Sequence, residues 1–217
     1  EGQVPGPVIR ANVGDTVVVD LENQLGVATT IHWHGIATPW AMDGVSWMSA
    51  PIPSGGSFTY TFVVGHAGTF WYHPHFDNAH QVDYGLYGVL VVVDPAEPPV
   101  DRDLVMVVDD WAEVHEGEGE GEGEDAHGAS GEEGLWTVNG VVDPALPVTG
   151  GETLRLRLVN VSNHGYLQLS LEGARVLARD QGLLSRVEPQ VHELLAPGDR
   201  VELEVRPSQV DLALLDA

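Results

Sequence analysis

The sequence contains no cysteine and no lysine. The first absence removes disulfides, thiolate nucleophiles, zinc–cysteine sites and iron–sulfur clusters together. The second leaves nine arginines to face 33 acidic residues, for a formal net charge of −24. Nucleic-acid phosphates demand basic patches, so no nucleic-acid partner is expected, and anionic lipid would repel the chain. No run of about 18 apolar residues occurs, and no membrane span is expected. Without lysine there is no Gly-Lys-Thr or Gly-Lys-Ser phosphate loop, and nothing signals a nucleophile elbow. No stretch holds a 3.6-residue apolar period over three turns. The chain opens on Glu1-Gly2-Gln3 rather than a basic stretch and an apolar run. The expectation is therefore a cytosolic protein or a mature or trimmed chain.

What is present reads as all-β. Among 217 residues, 26 Gly and 14 Pro punctuate short runs of Val, Thr, Leu and aromatics, as in a turn-rich sandwich. Strands are expected at Thr16–Leu21, Thr29–Trp33, Ser57–Val64, Thr69–His73 and Leu86–Val93. In Ser57–Val64, Phe58, Tyr60 and Phe62 share one face and Ser57, Thr59 and Thr61 the other. The proline-rich stretch 96–103 reads as a linker between residues 1–95 and 104–217. Beyond it, strands are expected at Leu104–Val108, Leu135–Val138, Thr153–Val159, Tyr166–Leu171 and Val201–Val205. Residues 116–134 hold eight acidic residues and seven Gly with no basic residue, an acidic insertion unable to bury apolar surface.

Two motifs carry the chemistry: His32-Trp33-His34-Gly35 and His73-Pro74-His75, the second after Gly68-Thr69-Phe70-Trp71-Tyr72. In extended chain, residues i and i+2 face one side, so each motif presents two imidazoles together. Four neutral imidazoles converging on one point make a transition-metal site, suited to copper, zinc, nickel or iron. Pro74 places the second pair at a strand end. The remaining histidines (His66, His80, His115, His127, His164 and His192) read as surface or loop residues. Asp109-Asp110 reads as a turn, and Trp40, Trp47, Trp71 and Trp111 as packing residues.

On these motifs the chain resembles the N-terminal part of a laccase-like multicopper oxidase. The matching pieces also include Gly2-Gln3-Val4-Pro5-Gly6-Pro7-Val8-Ile9-Arg10, Gly14-Asp15-Thr16, Asn23 and Gly85-Leu86-Tyr87-Gly88-Val89-Leu90-Val91-Val92. Residues 100–217 match more loosely, through Val138-Asn139-Gly140, Arg155-Leu156-Arg157-Leu158-Val159-Asn160 and Leu195-Ala196-Pro197-Gly198-Asp199-Arg200. The resemblance implies two cupredoxin-like Greek-key β-sandwich domains, the second incomplete. It implies a trinuclear copper cluster that reduces O2 to water at the expense of a small reducing substrate. His32 would bind the type 2 copper, and His34, His73 and His75 the type 3 pair. Asp43 would orient water or hand on protons. A secreted or periplasmic location follows from the same resemblance.

The departures from the family pattern set a second expectation. A complete oxidase also needs a blue copper held by a Cys and two His, with four more cluster histidines in His-x-x-His-x-His and His-Cys-His motifs. This chain has neither motif. It is expected to supply half of the cluster, the remaining cupredoxin domains coming from a longer polypeptide or a partner chain. The alternative is a non-catalytic copper-binding cupredoxin module. A copper nitrite reductase is rejected, because that family keeps a blue-copper Cys in its first domain.

Overall fold

The computed structural model describes residues 2–111, 135–180 and 182–207. The acidic insertion 116–134, with His115 and His127, lies outside the described residues. In chain order the first strands are β1 (Ile9–Asn12), β2 (Thr16–Glu22), β3 (His32–His34), β4 (Ser57–Val63), β5 (Gly68–His73) and β6 (Gly88–Val93). A six-residue helix, α1 (Asn78–Asp83), separates β5 from β6. The later strands are β7 (Arg102–Trp111), β8 (Leu135–Val138), β9 (Leu154–Asn160), β10 (Leu167–Arg179), β11 (Gly182–Leu195) and β12 (Arg200–Val205).

The strands form three sheets: β1-β6-β5-β3, the pair β2-β4, and β11-β10-β12-β9-β7-β8. Strict alternation fixes the register of the pair. Val17, Val19 and Leu21 stand opposite Phe62, Tyr60 and Phe58, while Thr59 on the outer face donates to Asp20 at 2.6 Å. A one-residue slip would turn the whole aromatic face to water. Tyr60 and Phe62 pack with the fully buried Trp33, Phe70, Leu90 and Val92. Trp33 meets Tyr60 edge-on at 5.7 Å and Phe62 at 4.9 Å. Truncating such an aromatic to Ala costs about 3–5 kcal/mol.

β6 has no polar face. Leu90 and Val92 serve the core just described, whereas Val89 and Val91 pack with Trp71, Tyr87, Val107 and Val159. A strand buried on both faces reads as a continuous apolar run. The β1-β6-β5-β3 sheet is thus covered by β2-β4 on one side and by the six-stranded sheet on the other. The face of the six-stranded sheet turned toward it carries buried charges beside Val107 and Val159. Leu154, Leu156 and Leu158 of β9 and Val201, Leu203 and Val205 of β12 fill the far core. Arg155, Arg157, Arg200 and Glu202, which alternate with them, are also buried. Glu202 accepts from Arg155 at 2.6 Å, from Arg157 at 2.8 Å and from the Thr69 hydroxyl of β5 at 2.7 Å. Arg157 also pairs with Asp103 at 2.7 Å, and Arg155 with Glu97. Buried charges are tolerable because each has a partner of opposite sign.

Several sequence expectations change. β7 begins at Arg102, inside the stretch expected as linker. Asp109 and Asp110 lie in β7 rather than in a turn, with Asp109 buried and accepting from the Tyr87 hydroxyl at 2.5 Å. Trp40 and Trp47 are not packing residues, each being 77% exposed. The run expected at Thr29–Trp33 is a strand only from His32 to His34, Thr29 making an isolated bridge to Ile52. β10 runs on well past Leu171 and pairs with β11, whose Pro189 is accommodated at the sheet edge.

Candidate metal centre

The histidine centre is built by the antiparallel pairing of β3 and β5. His32 stands opposite His73, Trp33 opposite Tyr72 and His34 opposite Trp71. Alternation along β3 turns both histidines to one side and sends Trp33 into the core. Pro74 lies just beyond the last residue of β5, and the chain turns so that the His75 amide donates to the Thr30 hydroxyl at 2.9 Å. Two glycines are required by this geometry. Gly35 takes φ +87° directly after His34, and Gly44 takes φ +74° with its α-carbon against the Ile31 carbonyl. A Cβ at Gly44 would lie 1.8 Å from that oxygen.

The four imidazoles cluster closely. Ring centroids of His34, His73 and His75 lie 5.7, 5.4 and 5.3 Å from that of His32. One ligand nitrogen from each of His32, His34 and His73 can be chosen so that all three lie within 4.8 Å of one another. His75 is outside that triad, and its ring stands edge-on to Trp47 at 5.6 Å.

The hydrogen bonds dictate which nitrogens are free. His32 Nδ1 donates to the Asp43 carbonyl at 2.9 Å, so Nε2 keeps its lone pair. His73 Nδ1 donates to the Pro74 carbonyl at 2.8 Å and the Asn78 side-chain oxygen at 2.9 Å, again freeing Nε2. His34 aims Nδ1 at His73 Nε2 across 3.3 Å. The Asp43 carboxylate accepts from Thr38 at 3.2 Å and lies 3.5 Å from His32 Nδ1. Carbonyl and carboxylate partners of this kind orient a ligating imidazole and set its tautomer.

The electrostatics favour neutral rings. Burial pushes His73 down to about 3, the Pro74 carbonyl opposing in part. Burial also pushes His34 down to about 4, with the Arg200 guanidinium the next cause. His32 is lowered by burial and partly restored by the Asp43 carbonyl. Neutral imidazole is the form that binds a metal. Trp71 lies flat on His73, 4.0 Å between centroids and 22° between planes, and tilts against His34 at 5.0 Å.

These residues fit a transition metal such as copper. The donors are all imidazole nitrogens, and the bonds donated by Nδ1 of His32 and His73 leave their Nε2 atoms unprotonated. Two nitrogens held about 2.0–2.1 Å from one tetrahedral ion stand roughly 3.3–3.4 Å apart, the separation found between His34 and His73. The four histidines and Asp43 singled out in the sequence lie together here, joined by Asn78, the stacked Trp71 and Arg200, which sequence reasoning did not place beside them. His80, read from sequence as a loop residue, lies on α1 and pairs with Asp77 at 2.8 Å.

The chain is similar to known proteins in sequence and fold. The sequence model of the multicopper oxidase family matches residues 1–97. Laccase-1 of Cryptococcus neoformans var. neoformans is 32% identical over 90% of this chain, which spans 36% of that laccase. A multicopper oxidase structure from Pseudomonas thermotolerans superposes with a TM-score of 0.82 at 35% identity, over 96% of this chain and 52% of the other. The structure of the multicopper oxidase mgLAC superposes with a TM-score of 0.79 at 30% identity, over 94% of this chain and 67% of its own. The two-sandwich, cupredoxin-like architecture of this chain is the one seen in those structures.

Proposed function

Because the chain belongs to the multicopper oxidase family, we propose that it is the N-terminal half of the oxygen-reducing machinery of a laccase-like enzyme. In this reading His32 Nε2 binds a type 2 copper. His34 Nδ1, His73 Nε2 and His75 bind the type 3 pair. Bound copper would supply one-electron transfer and oxygen binding for the reaction O2 + 4e⁻ + 4H⁺ → 2H2O, the electrons coming from a small reducing substrate. The chain's own residues orient and protect. The Asp43 carbonyl fixes His32, and Asn78 with the Pro74 carbonyl fixes His73. Trp71 covers the two rings on one side and excludes water. The Asp43 carboxylate, beside His32 and held by Thr38, is placed to pass a proton from its Oδ atoms toward the centre. Residues 1–95 form the first cupredoxin-like unit, and the second begins with β7 at Arg102. The remaining ligands come from further cupredoxin domains of a longer polypeptide or a partner chain. A secreted or periplasmic location accompanies this assignment. Among the described residues no helix is long and apolar enough to cross a membrane.

The observation that carries the proposal is the convergence of three neutral imidazole nitrogens within 4.8 Å. A second reading, a copper-binding module without turnover, is favoured by the absence of cysteine, since a blue copper needs a thiolate. The visible spectrum of the copper-loaded natural protein separates the two. An intense blue copper–thiolate band, together with O2 consumption, supports the oxidase. A protein that binds copper at these histidines but never turns blue is the module, and one that binds no copper there is neither.

A further inference from the structure

Arg200 reaches the histidine centre from β12, and no hydrogen bond accounts for one of its arms. Its side chain is buried. Nε donates to the Thr69 carbonyl of β5 at 3.2 Å, and Nη1 to the Gly198 carbonyl at 3.0 Å. Nη1 also lies 3.2 Å from the carboxylate of Asp180, which is 45% exposed. The remaining nitrogen, Nη2, is buried without a hydrogen-bond partner. It is pressed against Gly35, where a Cβ would stand 2.1 Å from it. The turn before β12 brings Gly198 against the His34 ring, a Cβ there lying 3.2 Å from Cε1 and 3.6 Å from Nε2. The six-stranded sheet therefore closes over that edge of His34.

A residue that served only as a pin between sheets would spend all its donors on partners. Here the charge is only partly offset, by the half-exposed carboxylate of Asp180 and by Asp199. Like charges repel most strongly where solvent is excluded. A positive charge beside a ligand opposes a doubly charged ion more than a singly charged one.

We infer that Arg200 is a positioning residue of the histidine centre. It holds the Gly35 turn in place and sets a permanent positive charge behind His34 that favours Cu(I) over Cu(II). This rests on the reading that these histidines hold copper.

The test measures two affinities on the full chain, Cu(I) and Cu(II) separately, each by competition with a chromophoric chelator. Far-UV circular dichroism and thermal unfolding run alongside. Arg200→Gln removes the charge and is expected to raise the preference for Cu(II) over Cu(I) about tenfold, equal to 59 mV for one electron. Arg200→Lys keeps the charge and should stay within about twofold of wild type. Asp180→Asn removes the exposed offsetting charge and should move the ratio about twofold the other way. It decides the question should Arg200→Gln fail to fold. A loss of structure alone would weaken both affinities together and leave the ratio unmoved. An unmoved ratio in Arg200→Gln, or in Asp180→Asn where that variant decides, overturns the inference. So does a lysine variant that behaves like the glutamine one. A wild-type chain that binds neither ion removes the copper reading itself, and this inference with it.

Discussion

His34 and His73 point ring nitrogens at each other across 3.3 Å, although neither neighbours the other in sequence. The contact is a consequence of strand pairing: His34 stands two register positions from the His32–His73 pair, on the same face. Without a metal one neutral ring can donate its N–H to the other, and with both nitrogens unprotonated the same pair can share an ion. Replacing either histidine by Ala should lower Cu(II) affinity by about 100-fold or more, beyond the loss expected for an outer partner. Metal content after dialysis, read by atomic emission, checks this. A variant that keeps wild-type copper content would place the ion elsewhere.

Asn78 is the outer partner of His73. Asn78→Ala leaves the Pro74 carbonyl to hold the ring alone. Copper affinity should fall about tenfold, the low end of the range for such partners. The fold should be unaffected, because Asn78 sits in the first turn of a short surface helix. Isothermal titration with Cu(II), alongside a melting curve, measures both.

Glu202 neutralises two buried arginines at once. Glu202→Ala leaves Arg155 with Glu97 and Arg157 with Asp103, and strands the rest of their charge in the interior. Removing one partner of a buried pair costs about 3–5 kcal/mol. Urea unfolding should show that loss, and Glu202→Gln, which keeps an acceptor for Thr69, should lose less. Equal stability of Glu202→Ala and wild type would mean that water reaches the cluster.

Asp109 makes stability depend on pH. Burial raises its carboxyl from 3.8 to about 6, the nearby Asp110 and Asp83 carboxylates adding to the effect and the Tyr87 bond opposing it. Because the folded value is raised, the group contributes stability below 3.8 that is lost as pH climbs through about 6. Asp109→Asn keeps an acceptor for Tyr87 and has no charge to bury. It should match wild type at low pH and exceed it above about pH 6, by up to roughly 3 kcal/mol. Melting temperatures across this range test the sign. A variant that is less stable at pH 8 refutes it.

Much of this was legible in the chain, and the exceptions share a cause. The aromatic alternation of Phe58, Tyr60 and Phe62 is a local signal, and the strand obeys it. The two His-x-His motifs are local as well, since extended backbone alone turns their rings the same way. α1 escaped because six residues make fewer than two turns, too short for a periodic apolar stripe. Asp109 read as a turn residue because alternate strand positions point adjacent aspartates apart; Tyr87, brought alongside by packing, and a backbone bond from Asp110 make the buried site tolerable. Trp40 and Trp47 read as packing residues because large aromatics usually are, yet they stand in solvent near the histidines. Arg200 stood in a piece that matches the family, but its role carried no signal: its relation to Gly35 exists only once two sheets are face to face.

Trp71 gives the centre an optical window. Its indole is buried and lies flat on the imidazole that would carry the ion, whereas Trp40 and Trp47 stand in water. Buried indoles, here Trp33 and Trp71, emit at shorter wavelength than exposed ones, and a paramagnetic Cu(II) on His73 would quench Trp71 by contact while Trp33, on the other face of β3, keeps its emission. Filling of the centre can thus be followed as the fading of the short-wavelength side of the intrinsic fluorescence, with no added dye and no turnover.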